Sequence, residues 1–243
     1  MSDQLIFLFI LIPFISMLFS SVGHGGASGY LALMSLFLFP VIEMKSTALL
    51  LNIFVSGIAF YNYYRFKHFN KKLFFSFAVG SIPAAFIGGN LIIDVEIYKN
   101  ILGFFLLFAA AKFLYNHDDI KIKKRINYFI SLIIGTLIGF FSGLIGIGGG
   151  IILTPLILLL KWGNVKTAAG VSSLFIFFNS ISGFLGLIFL EIHPSNNSFL
   201  LLILAIIGGL IGSYYGSRKW NNKILKYLLA IVLFIASFKL IFI

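Results

Sequence analysis

Two glycine-rich breaks inside apolar runs constrain this chain more than any other feature. "SSVGHGGASGYLALMSL" (Ser20–Leu36) and "GLIGIGGGIILTPLILLL" (Gly143–Leu160) read as membrane helix apart from their glycines. Glycine costs about 1 kcal/mol relative to alanine inside a helix, so a cluster of them marks a break. The surrounding runs approach 20 apolar residues, enough to cross a hydrocarbon core of about 30 Å.

The composition agrees with a membrane setting. Hydrophobic residues make up 60% of the chain and charged residues 10%, with mean hydropathy +1.07. Soluble domains are nearer half apolar and a quarter charged. The expected fold class is therefore an all-α polytopic membrane protein, with the lipid bilayer as its first partner. The net charge of +11 does not imply nucleic acid, because the lysines and arginines lie between apolar runs. Cysteine is absent, and the four histidines lack ligand spacing, so neither a metal nor a cofactor is expected. Leu5–Ser21 follows Asp3 without a basic leader and reads as a retained span rather than a cleaved signal.

Ten segments emerge, at 5–22, 27–40, 46–64, 73–93, 97–115, 128–145, 150–162, 167–190, 199–217 and 224–242. The second and seventh are too short to span. At 1.5 Å per residue, 27–40 reaches about 20 Å, the length of a re-entrant or half-helix.

The two halves resemble each other. Gly23, Gly25 and Gly26 superpose on Gly146, Gly148 and Gly149, and Gly80, Ala84 and Gly88 on Gly208, Gly212 and Gly216. "NIFVSG" from Asn52 aligns more loosely with "NSISG" from Asn179. The chain thus divides into a first membrane repeat (1–115), a cytoplasmic linker (116–127) and a second membrane repeat (128–243). Matching loops carry opposite charge bias. Arg65, Lys67, Lys71 and Lys72 follow segment three, whereas Glu191 follows segment eight. Asp94, Glu96 and Lys99 follow segment four, whereas Arg218, Lys219 and Lys223 follow segment nine. By the positive-inside rule the matching loops lie on opposite sides, so the repeats are inverted, with both termini non-cytoplasmic.

Inverted repeats with paired broken helices point to a transporter whose site lies at the breaks. A half-helix N-terminus has unpaired N–H groups and about half a positive charge, so it binds an oxyanion without a lysine. The expected substrate-binding residues are Gly23, His24, Gly25, Gly26, Ala27 and Ser28 in the first repeat and Gly146, Gly148, Gly149 and Gly150 in the second. Asn52, Ser172 and Asn179 are expected to line the cavity. No lysine or arginine is expected deep in a span; Glu43, Lys45, Lys161 and Lys166 are read as interfacial. The stripe of Gly80, Ala84, Gly88, Gly208, Gly212 and Gly216 suits close helix packing instead.

The motifs "SVGHGGASG" and "GLIGIGGGIILTP" resemble those of the sulfite exporter TauE/SafE family of membrane permeases, over nearly the whole chain. The resemblance implies passage of a small sulfur oxyanion or organosulfonate, such as sulfite or sulfoacetate, across the plasma membrane. His24 departs from the internal symmetry, because Ile147 stands at its place in the second repeat. Two rival readings remain. One is a passive anion channel. The other is a rhomboid-like serine protease built on "GASG" and Ser28, which would need a histidine base in a later span where the sequence has none. A homo-oligomer is compatible with the pattern.

Overall fold

A computed structural model describes residues 3–114, 126–218, 234, 237 and 238. The described residues are all helical apart from turns and loops, without strands. The helices are α1 (Asp3–Ser20), α2 (Ala27–Leu36), α3 (Val41–Arg65), α4 (Lys71–Gly89), α5 (Val95–Leu114), α6 (Tyr128–Ile145), α7 (Gly150–Leu159), α8 (Val165–Phe189) and α9 (Asn196–Arg218). The tenth expected segment lies outside the described residues.

Five helices, α3, α4, α6, α8 and α9, are long and apolar enough to cross a membrane. The expected spans α1 and α5, 18 and 20 residues long, are apolar helices as well. The short segments end earlier than expected, at Leu36 and Leu159, so each is a 10-residue helix. At 1.5 Å per residue such a helix covers about 15 Å, half a hydrocarbon core. The third segment starts five residues earlier than expected, at Val41, which draws Glu43 and Lys45 into α3.

Sequence chemistry explains where the long helices start. Asn70, Asn127 and Asn164 precede α4, α6 and α8, and each side-chain oxygen accepts from the N–H three residues on, at 3.1, 3.2 and 2.8 Å. Such caps satisfy one of the orphan donors of a first turn. Helices α2 and α7 start differently, on Gly26 and Gly149 in the left-handed region, with no side-chain cap of their own.

Helices α3 and α8 pack on each other, and each also contacts α4 or α9: α4 lies against α8, α9 against α3. α6 packs along α4 and α1 along α9. These last two pairs depend on small residues. A side chain at Gly135, Gly139 or Gly143 would strike the carbonyls of Phe77, Ser81 or Ala85 on α4. One at Gly208, Gly212 or Gly216 would strike those of Pro13, Met17 or Ser21. Glycine lets the backbones approach this closely where no hydrophobic force between helices is available.

Turns recur at a fixed interval. Leu38 and Lys161, and Lys67 and Glu191, are non-glycine residues with φ between 58° and 62°, and each pair is separated by 123 or 124 residues. α3 and α8 are each 25 residues long. This register corrects one expectation. The twelfth residue of α3 is Asn52 and that of α8 is Ile176, so Asn52 corresponds to Ile176 rather than to Asn179. The sequence pairing followed local similarity, which the polar residues of α8 supply at more than one register.

Candidate functional site: the two glycine loops

Each short helix is entered through two left-handed glycines. Gly23 (φ 79°) and Gly26 (φ 101°) lead into α2; Gly146 (φ 90°) and Gly149 (φ 78°) lead into α7. L-residues with a Cβ adopt this region only under strain, so glycine is favoured there. Gly148 is also left-handed (φ 73°), whereas its counterpart Gly25 is not.

The loops meet around Asn52 and Ile176. A Cβ at Gly25 or at Gly148 would overlap the Asn52 amide and press on the Ile176 side chain. The expected gap between the loops is therefore filled by protein side chains in this structure, and the glycines allow close packing as well as sharp turning. Asn52 is buried, and its oxygen accepts from the Ala27 N–H at 3.0 Å while its amide donates to Ser180 Oγ at 3.2 Å. It supplies from 25 residues away the cap that Gly26 cannot provide. Tyr30 Oη donates to the Gly25 carbonyl at 3.0 Å and ties the same loop down.

His24 bridges the halves. Nδ1 lies 3.1 Å from the Val22 carbonyl, and Nε2 lies 3.1 Å from the Gly150 carbonyl and 3.2 Å from Thr154 Oγ1. Thr154 Oγ1 also lies 2.8 Å from Ser172 Oγ. A neutral imidazole donates from one nitrogen only, so the two carbonyls are both served only by the protonated ring. The expected site residues His24 and Ser172 thus share one polar cluster with Thr154. The carbonyl of Gly150 joins that cluster, while its Cβ position meets Ile176.

Backbone donors remain at both helix starts. Among the described residues, the N–H groups of Ser28, Gly29, Gly150 and Ile151 have no protein acceptor. The first turn of a helix offers them none internally. Four buried side-chain atoms able to donate are idle as well: Ser28 Oγ, Ser56 Oγ, Ser142 Oγ and Asn179 Nδ2. Buried polar atoms without partners are rare. Ser142 lies beside Gly149, where a Cβ would come within 3.3 Å of its Oγ. The Asn179 oxygen accepts from Ser81 Oγ on α4 at 2.8 Å, so its partner lies on the α4–α8 contact rather than in a glycine loop.

Lys45 is buried within the protein. Its side chain is only 5% exposed, packs against Gly146 and donates to the Gly89 and Leu91 carbonyls at 3.2 and 3.3 Å. The C-terminal carbonyls of α4 are the negative end of a helix dipole and hold the ammonium. The fifth residue of α8, Ala169, occupies the matching place against Gly23.

Sequence reasoning missed Thr154, Ser142, Ser180 and Ser81. Thr154 and Ser142 stand alone among apolar neighbours, a signal that a polar side chain buried in a membrane helix can provide. Ser81 and Ser180 look like ordinary packing residues, and only their partners distinguish them.

The family model described as Sulfite exporter TauE/SafE matches residues 8–240. A probable membrane transporter protein, y4hK, of Sinorhizobium fredii is 31% identical over 232 residues, covering 93% of this chain and 94% of that protein. A second, YdhB of Bacillus subtilis, is 26% identical over 240 residues, covering 94% and 95%. A third, MJ0441 of Methanocaldococcus jannaschii, is 33% identical over 132 residues, covering 53% and 49%. No solved structure matches the chain significantly.

Proposed function

We propose that this chain, which belongs to the sulfite exporter TauE/SafE family, moves a small sulfur oxyanion or organosulfonate, such as sulfite or sulfoacetate, across the plasma membrane by alternating access. The chain is a membrane transporter; the substrate and the mechanism are our reading. One observation carries it: two short buried helices start on glycines, keep first-turn N–H groups uncommitted, and lie near idle buried donors. Hydrogen-bond donors without acceptors suit an anion, which accepts but does not donate.

The substrate atoms lie against the Ser28 and Gly29 amides of α2 and the Gly150 and Ile151 amides of α7. Ser28 Oγ and Ser142 Oγ supply further donors, and His24 reports across the two halves through Gly150 and Thr154. Binding at both helix starts needs the loops to part around Asn52 and Ile176, a motion that suits two conformations better than an open pore. The pairing of α1 with α9 and of α4 with α6 supports two inverted repeats, 1–115 and 128–243, with 116–127 between them and both termini non-cytoplasmic.

Counterflow of radiolabelled sulfite in proteoliposomes tests the reading. Unlabelled sulfite on the far side accelerates entry through a carrier and leaves a passive channel unaffected. Ser142→Ala leaves no partner unsatisfied, so it keeps the fold and weakens sulfite binding by about three- to tenfold, the loss of one hydrogen bond. Absence of transport and binding for sulfite, sulfate, thiosulfate, sulfoacetate and taurine refutes the substrate class.

A further inference from the structure

The start of α4 carries two exposed lysines, Lys71 and Lys72, above two adjoining hollows. The smaller has a volume of about 360 Å³ and is walled by both lysines, Ser76 and Tyr128. The larger, about 730 Å³, continues along α4 to Pro83 between aromatic rings that include Phe60, Phe74 and Phe178. Lys71 and Phe75 wall both, so the hollows adjoin.

The two parts ask for different chemistry in one ligand. Twelve residues separate Lys71 from Pro83, about 18 Å of helix at 1.5 Å per residue. One leaflet of the hydrocarbon core is about 15 Å deep. The larger hollow is thus an apolar groove as deep as a leaflet, and the smaller hollow beside its mouth is walled by Lys71, Lys72 and Tyr128. A free phosphate has no use for the groove, and a zwitterionic lipid gains little net attraction from the lysines.

We propose that this face of α4 holds one anionic phospholipid, its phosphate on Lys71 and Lys72 and one acyl chain in the groove toward Pro83. Lysines near a membrane surface attract anionic lipids by about fivefold in affinity each. The inverted topology proposed above places them at the cytoplasmic leaflet; the choice of leaflet rests on that reading, and the binding itself does not.

Native mass spectrometry of the purified full chain with phosphatidylglycerol or phosphatidylcholine of identical acyl chains tests the site without reference to transport. The wild type retains phosphatidylglycerol about 25-fold more tightly than phosphatidylcholine. Lys71→Gln with Lys72→Gln abolishes that preference, and Lys71→Arg with Lys72→Arg keeps it. Val79→Trp, which fills the groove, weakens both lipids. Equal retention of the two lipids by the wild type, or a preference unchanged in the double glutamine variant, overturns the proposal. So does displacement of phosphatidylglycerol by inorganic phosphate, which assigns the lysines to a free anion. Normal lipid retention by Val79→Trp removes the groove from the site and overturns it equally.

Discussion

The loops before α2 and α7 share a backbone: each turns at a left-handed glycine, Gly23 or Gly146, and starts its helix on another, Gly26 or Gly149. Their furnishings differ. The first is tied by Asn52 on the Ala27 N–H and by Tyr30 on the Gly25 carbonyl. The second has no side chain on its first N–H groups and lies beside the idle Ser142 hydroxyl. Gly23 rests on Ala169, whereas Gly146 rests on the buried Lys45. Similar backbones leave side chains free to specialise: Asn52 ties one first-turn N–H of α2, whereas no side chain caps α7, and both starts keep further donors open.

The largest effect is expected at Gly149. Gly149→Val places a β-branched residue at φ 78° and drives its Cβ into Ile138 and Phe175. The left-handed conformation alone costs about 1–2 kcal/mol, and overpacking adds about 1–3 kcal/mol. We expect a lower unfolding midpoint in detergent and loss of sulfite binding. A variant with wild-type stability and affinity would remove the second loop from the site.

Asn52→Ala measures how the first loop is fastened, with Asn179→Ala on the α4–α8 contact as a buried control. Asn52→Ala loses a helix cap and the partner of Ser180, at about 1–3 kcal/mol. Asn179→Ala loses only the bond from Ser81, at about 0.5–1.5 kcal/mol. Equal costs in denaturant or thermal unfolding would mean that Asn52 fastens its loop no more than an ordinary buried hydrogen bond.

His24→Ile gives the first loop the residue that the second already has. It removes the contacts to Val22, Gly150 and Thr154. A loss of about 1–2 kcal/mol is expected, with looser coupling of the first loop to α7. A change in the pH profile of transport would identify His24 as a group that titrates in the cycle; an unchanged rate and profile would make the bridge structural.

The smallest effect lies outside the spans. His68 follows α3, and Ile192 stands at the matching place after α8. Burial, and secondarily the charge of Lys166, pull His68 below its usual value of 6.5. The unfolded chain therefore binds the proton first, and stability falls as pH drops below about 6.5 toward the folded value. His68→Ile should flatten that part of the stability-against-pH curve slightly; a curve unchanged by the substitution would show that His68 contributes nothing to it.

Helix content, the two breaks and the half-length of the helices after them were legible because they depend on neighbouring residues. An apolar run announces a membrane helix, and clustered glycine announces its interruption. The stripe of Gly208, Gly212 and Gly216 was legible as packing for the same reason, since four-residue spacing puts small residues on one helix face. The burial of Lys45 was not legible because five residues from Pro40 looks like a membrane edge in a linear sequence. In the fold, the C-terminus of α4 comes up beside it and supplies two carbonyls.

The sequence by itself determined that this protein is a helical membrane protein with paired glycine breaks, since run length and glycine's freedom at positive φ are local properties. Only the tertiary structure decided which polar groups meet: Asn52 with Ala27, His24 with a carbonyl 126 residues away, Ser81 with Asn179. The reason is physical. Buried polar groups away from water must find partners within the protein, and the rotation and tilt that choose those partners come from helix packing, which hydropathy does not encode.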